Sequence, residues 1–355
     1  MGYIDVVKEK IFNKKICLYP MGIAAKATMD KIKAYGIEID FFSDSNPALW
    51  GTEYKGKECV PKEQLVKMDQ DQLIVIVESL YYKEIKRNLY EHGVKNILRI
   101  FPEKFLTDKF LEKNGENLDN YVNEIMGIFE DERSKKVFRH LINAWKMQDI
   151  PDDYFELIYD KEQYFDSQII IRDIDEVFVD VGAYVGDTAE KYLKFCDNKY
   201  EKMHLFELDA EIYQKLEKNI SNFREGKVEK EKIICYPYGL ADENKEVSFL
   251  NGDSYSSIME SFDTCGNVRK MDDSLRNEKV TFIKMDIEGA EMSSLIGASD
   301  IIRKQKPKLA ICIYHRPEDM FEIPRYIKKL VPEYKIYSRH YTDMVLETVC
   351  YATIS

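Results

Sequence analysis

Residues 176–187, EVFVDVGAYVGD, decide how this chain is read. An apolar run ends in an acid, a glycine turn follows, and a helix start comes next. That order is a strand delivering its carboxyl end to a helix N-terminus, the place where open α/β sheets bind ligands. A dinucleotide site brings a pyrophosphate to this turn and needs G-x-G-x-x-G for close backbone approach. Here the spacing is Asp180-x-Gly182-x-x-x-Gly186-Asp187, with one carboxylate on each side of the turn. Two anions there repel a diphosphate by Coulomb's law in a partly dry site. They suit a ligand with a positive amino group and a sulfonium. The turn, Ala183 and Tyr184 included, therefore predicts a site for S-adenosylmethionine.

Working outward, a length of 355 residues predicts about two domains on the usual ~150-residue scale. The hydrophobic content of 45% is ample for packed cores. No run approaches the ~20 apolar residues of a membrane span. The first residues, MGYIDVVKEKIFNKK, lack the apolar stretch of a signal peptide and the Ser/Thr of a myristoylation signal. The seven cysteines are scattered, never in C-x-x-C, and four fall in strand-like runs. Reduced, buried thiols in a cytoplasmic protein are the expectation. A net charge of −12 without a long basic run argues against nucleic acid as a partner.

Before the opening stretch, short apolar runs at 15–19, 37–42, 73–77 and 96–100 alternate with helical patterns. This predicts a smaller Rossmann-like α/β domain over residues 1–112. Its first turn, PMGIAAK, has one glycine and a proline. Asp44 stands where a ribose-binding acid would, but a lone glycine usually marks only a tight connection. A structural or acceptor-positioning role is preferred there. Residues 113–168 read as a helical connector, with Leu118, Tyr121, Val122 and Ile125 on one face and a break at 150–152. Aromatics at 163–165 read as core, with a lid over the cofactor as the lesser alternative.

Residues 169–355 form the second expected domain. Strands are predicted at 177–180, 203–207, 232–236, 280–286 and 309–315, with helices after the first, second and fourth and GLAD (239–242) as a turn after the third. The segments 334–337 and 348–352 are too close for a crossover helix, so they should pair antiparallel. The expectation is a seven-stranded Rossmann-like methyltransferase domain, mostly parallel with a terminal antiparallel strand.

Several acids fall at predicted strand ends. Glu207, 27 residues past Asp180, can accept both ribose hydroxyls of an adenosyl group, with Leu208 beside it. Leu240, Ala241 and Asp242 could contact adenine, although an ordinary turn reads the same way. In KMDIEGAE (284–291), Asp286 and Glu288 would border the methyl-donor end of the crevice. Glu291 reads as favourable charge at a helix N-terminus. His315 is predicted to end the fifth strand and, poised near neutrality, to take the proton of an alcohol acceptor; Asp286 or Glu288 are the next candidates. A structural hydrogen-bonding histidine is nearly as good a reading. A divalent metal on Asp286, Glu288 and His315 is permitted by the spacing but not required by it.

FVDVGAYVGD, HLFELD and above all FIKMDIEGAE resemble the FkbM-type S-adenosylmethionine-dependent methyltransferases, over roughly residues 163–352. The resemblance implies O-methylation, often of sugar or secondary-metabolite hydroxyls. It also implies that Asp180, Gly182, Gly186, Glu207 and Asp286 line the cofactor pocket. The N-terminal region resembles the Rossmann-like partner of such modules in some carbohydrate-modifying proteins. The leading expectation is an O-methyltransferase acting on a small-molecule or glycan acceptor, such as a nucleotide-linked sugar, with a homo-oligomer left open. The alternatives are a nicotinamide-dependent oxidoreductase and a non-catalytic S-adenosylmethionine-binding sensor or scaffold.

Overall fold

The computed structural model describes residues 2–79, 81–224, 232–249 and 264–354. It divides into two compact units. The first comprises Met1–Lys113, Asn143–Leu157 and Thr342–Val345; the second comprises Asn114–Ile142, Ile158–Tyr341 and Leu346–Ser355. The stretch read as a connector contains the helices Leu118–Ile128 and Glu132–Lys146, and its residues are shared between the units. No described helix is long and apolar enough to cross a membrane.

The first unit is built on six strands: β1 (Lys15–Tyr19), β2 (Phe41–Asp44), β3 (Glu53–Tyr54), β4 (Lys57–Pro61), β5 (Leu73–Val77) and β6 (Ile97–Leu98). Their order is β3-β4-β2-β1-β5-β6, parallel except for the β3–β4 pair. β5, LIVIV, is buried at every position, as a central parallel strand covered on both faces must be. The strand expected at 37–42 is displaced to Phe41–Asp44, and the one expected at 96–100 shrinks to two residues. The β3–β4 hairpin went unread because its turn is Lys55-Gly56 rather than Asn-Gly. Both residues nevertheless take the positive φ (50° and 76°) that a tight hairpin demands. Asp44 is nearly buried, and its carboxylate accepts from the backbone of Met21 and Asn46 at 2.8 and 2.7 Å. It ties two turns together.

The second unit has a seven-stranded sheet: β7 (Val177–Val181), β8 (Lys202–Phe206), β9 (Ile233–Tyr236), β13 (Phe282–Met285), β14 (Lys308–Cys312), β15 (Lys335–His340) and β16 (Thr348–Thr353). The order is β15-β16-β14-β13-β7-β8-β9, with β16 inserted antiparallel between β14 and β15. Three further described strands, β10 (Gly239–Leu240), β11 (Lys245–Phe249) and β12 (Thr264–Arg269), form a separate sheet that sequence reading missed. The predicted GLAD turn therefore begins as a strand. β7 is buried throughout, and Phe178 stacks on Tyr192 at 4.3 Å within an aromatic cluster that includes Phe165 and Phe282. Such stacked pairs add about 0.5–1.5 kcal/mol beyond area burial.

Candidate active site

β7 and β13 are sheet neighbours, so the two motifs that organise the sequence leave the sheet side by side. After β7 the chain turns through Gly182 at φ +79°. A Cβ there would lie 2.0 Å from the Asp286 carbonyl oxygen, so glycine is required by close backbone approach as well as by conformation. The Gly182 and Ala183 N–H groups donate to the Phe206 carbonyl at 3.0 and 2.9 Å. Tyr184, at φ +48°, is exposed over the turn. Gly186, at φ +90°, is the N-cap of the helix Asp187–Phe195, and Asp187 in its first turn is exposed.

Glu207 follows β8 at the adjacent strand end. One of its carboxylate oxygens accepts from the Tyr184 N–H and the other from the Asp209 N–H, both at 2.9 Å. Burial pushes it up to about 7 despite these donors. Each oxygen retains a lone pair, so the group can still accept hydroxyls. A buried acid and an exposed aromatic thus flank the glycine turn at the carboxyl ends of β7 and β8.

Other sequence-predicted residues take different parts. Asp180 has no accessible surface and pairs with Lys284 Nζ at 2.8 Å. Burial pushes Asp180 up to about 6, although the Lys284 ammonium beside it pulls the other way. Its charge is also compensated, so the argument that two bare anions flank the turn does not hold. Leu240 and Ala241 are buried, and Ala241 belongs with partly buried Leu208 to a small core of the three-stranded sheet. Asp242 accepts from the Ser293 hydroxyl at 2.6 Å, which holds it below the usual carboxylate range. Only part of this group, Leu208 and Asp242, keeps appreciable exposure.

At the end of β13 a dense polar cluster forms. Asp286 accepts from the Tyr164 hydroxyl at 2.7 Å and the Tyr314 hydroxyl at 3.1 Å. Burial acts to raise it, but Lys284, His315 and the two hydroxyls pull it below its ordinary value. His315 lies three residues beyond β14 rather than at its end. Its Nε2 is 3.4 Å from Asp286 and 3.5 Å from Glu288, and its Nδ1 is 2.8 Å from Glu291. Burial opposes its charge, yet Glu291, Glu288 and Asp286 raise it to about 10. The three carboxylates favour the protonated ring, which weighs against His315 as a base poised near neutrality. Glu291 is fully buried and receives the Ile287 N–H at 2.8 Å, so it is more than a helix-terminal charge.

Sequence reading missed Tyr164, Tyr314 and Glu347. Glu347 immediately precedes β16, accepts from Tyr314 at 3.1 Å and also binds the Gln163 amide. Burial, then the Asp286 charge, pushes it up to about 7. Its signal was available: an antiparallel strand returning beside β14 must begin at the same sheet edge where β14 ends. Tyr164, expected as core, is indeed buried but turns its hydroxyl to Asp286. Arg339 and His340 lie within β15, and bind Asp131 and Thr348 respectively. They take no part in the cluster.

Comparison with known proteins bears on the fold and the domains. Residues 180–334 match the family model described as Methyltransferase FkbM domain, and residues 12–100 match C2185-like, N-terminal. No curated protein matches the chain. Among solved structures, methyltransferase FkbM from Methylobacillus flagellatus KT is similar in fold, with TM-score 0.73 and 21% identity over 98% of this chain and 93% of that one. A SAM-dependent methyltransferase from Aquifex aeolicus aligns with 58% of this chain and 94% of its own, at 12% identity and TM-score 0.35, too distant to carry an argument. Residues 180–334 are thus an FkbM methyltransferase domain, and they follow a C2185-like N-terminal domain.

Proposed function

We propose that the chain is an S-adenosylmethionine-dependent O-methyltransferase acting on a hydroxyl of a sugar, a glycan or a nucleotide-linked sugar. The observation that carries this reading is the Tyr314 hydroxyl, 3.1 Å from both Asp286 and Glu347 at the exit of β13. One hydroxyl proton serves two carboxylates, and Glu347 is the one raised towards neutrality. A carboxylate near 7 can take the proton of an alcohol as its oxygen is methylated.

S-adenosylmethionine supplies the electrophilic methyl group on its sulfonium. Glu207 accepts the ribose hydroxyls, and the turn 182–186 with Tyr184 holds the rest of the ligand against the sheet edge. Asp286, fixed by Tyr164 and Tyr314, and Glu288 present negative charge beside the reacting groups. In-line displacement depends mainly on alignment, so these fixed side chains contribute by positioning acceptor and donor. Glu347 holds the proton that leaves the acceptor. A polyol acceptor offers several hydroxyl donors to such an acid-rich lining.

The test has two parts. Calorimetry should show S-adenosylhomocysteine binding that Glu207→Ala abolishes; NADH binding in its place would overturn the reading in favour of an oxidoreductase. A screen with labelled S-adenosylmethionine across sugars, nucleotide sugars and oligosaccharides should then reveal label on oxygen. Cofactor binding with no acceptor labelled would favour the sensor or scaffold.

A further inference from the structure

The cluster at the end of β13 holds more negative charge than one imidazole neutralises. Asp286, Glu288 and Glu291 all approach His315, with nearest contacts of 3.4, 3.5 and 2.8 Å. Three of these residues, Asp286, Glu291 and His315, each offer one ligand atom, and those atoms lie within 4.8 Å of one another. Ligand atoms about 2.1 Å from a small divalent ion are roughly 3–4 Å apart, so modest side-chain rotation closes this group around a cation.

A second observation points to a ligand. Glu291 has no accessible surface, and while its Oε1 accepts from Ile287, its Oε2 has no hydrogen-bond partner. A buried carboxylate oxygen without a donor is unfavourable, and a cation is the partner it lacks. The surroundings also resemble the outer shell of a metal centre. Asp286 is oriented by Tyr164 and Tyr314, and Glu291 by a backbone N–H. When His315 ligates through Nδ1, on the Glu291 side, its Nε2 still faces Glu288 at 3.5 Å, the usual arrangement for a metal-bound histidine.

We propose that Asp286, Glu291 and His315 hold a divalent cation. Mixed imidazole and carboxylate donors suit Mn²⁺ better than Ca²⁺ or Mg²⁺, whose sites are built from oxygen. The ion replaces the imidazole proton and satisfies the unpaired Glu291 oxygen. It lies where Asp286 borders the proposed reaction centre, placed to orient an acceptor oxygen. The binding itself rests on these side chains and not on the methyl-transfer reading.

The experiment titrates Mn²⁺ into the EDTA-treated, desalted full-length protein, without any methyl donor. Electron paramagnetic resonance reads loss of the free aquo-ion signal, and pulsed measurements read ¹⁴N coupling from a bound imidazole. One ion per chain with ¹⁴N coupling is expected. Glu291→Gln and His315→Gln should weaken binding by roughly ten- to a hundredfold, while Glu333→Gln, at the exposed Lys306 pair, leaves it unchanged. Thermal melts establish that each variant is folded; if Glu291→Gln is not, the ¹⁴N coupling in the unaltered protein decides. A full free-ion signal with folded unaltered protein, bound ion without ¹⁴N coupling, or equal binding by folded Glu291→Gln and His315→Gln overturns the proposal. None of these readings involves S-adenosylmethionine, so failure here and failure of the methyltransferase reading are separate results.

Discussion

Lys284 Nζ lies 2.8 Å from Asp180 and 2.9 Å from the Gly182 carbonyl, with both side chains essentially excluded from solvent. The parallel register of β7 and β13 places the two residues directly across from each other. This pair links the glycine turn to the KMDIEGAE segment. Burial alone would discharge the lysine, but Asp180 and Asp286 keep it cationic.

Removing one partner leaves a buried charge without compensation. Lys284→Met should therefore destabilise the protein by about 3–5 kcal/mol. Asp180→Asn combined with Lys284→Met should recover much of that loss, because no charge is then stranded. Urea unfolding of the single and double variants measures the difference; equal loss in both would show that packing rather than charge dominates.

Backbone approach at Gly182 makes a second prediction. Its absent Cβ would stand 2.0 Å from the Asp286 carbonyl oxygen, and its φ is +79°. Gly182→Ala should cost more than about 3 kcal/mol and separate the two motifs. Gly127, near the end of the helix Leu118–Ile128, meets nothing within 4 Å. Gly127→Ala should instead stabilise by up to about 1 kcal/mol. Denaturant midpoints of the two variants should move in opposite directions.

Glu207 carries a pH signature. Burial raises it from 4.5 to about 7 in the folded chain. For a raised carboxylate the folded state holds its proton more tightly. Its contribution to stability is therefore complete below about 4.5 and is lost as pH rises to about 7. Ribose hydroxyls donate to the ionised form, so S-adenosylhomocysteine affinity should rise about tenfold between roughly pH 6 and 8. Glu207→Gln should bind more weakly and lack that rise in calorimetry; a parallel rise would assign the titration elsewhere.

Glu347 separates proton removal from cofactor binding. Glu347→Gln keeps the hydrogen-bonding shape beside Tyr314 and Gln163 but cannot take a proton. With an acceptor in hand, its kcat should fall by about 10²–10⁴ while S-adenosylhomocysteine affinity stays unchanged. Single-turnover label transfer is the appropriate measurement, and undiminished transfer would remove Glu347 as the base.

The sequence by itself determined the strand-turn-helix at residues 176–187, the succession along the chain of the seven strands of the large sheet, and the acids at their ends. Those features are local: apolar runs, glycine turns and strand-end carboxylates are written in consecutive residues. The hairpin turn Lys55-Gly56 and the strand starting at Gly239 escaped because ordinary residues there adopt conformations imposed by pairing. What only the tertiary structure decided is the electrostatic role of each acid. Asp180 became a buried partner of Lys284 through strand register, and His315 came to face three carboxylates from a neighbouring segment. Glu347 entered the site through β16, inserted antiparallel between β14 and β15. A carboxylate in EVFVDVGAYVGD looks the same whether it faces a ligand or a lysine. Burial and charge at distances of a few ångströms make the distinction, and those distances arise only when separate strands are laid side by side.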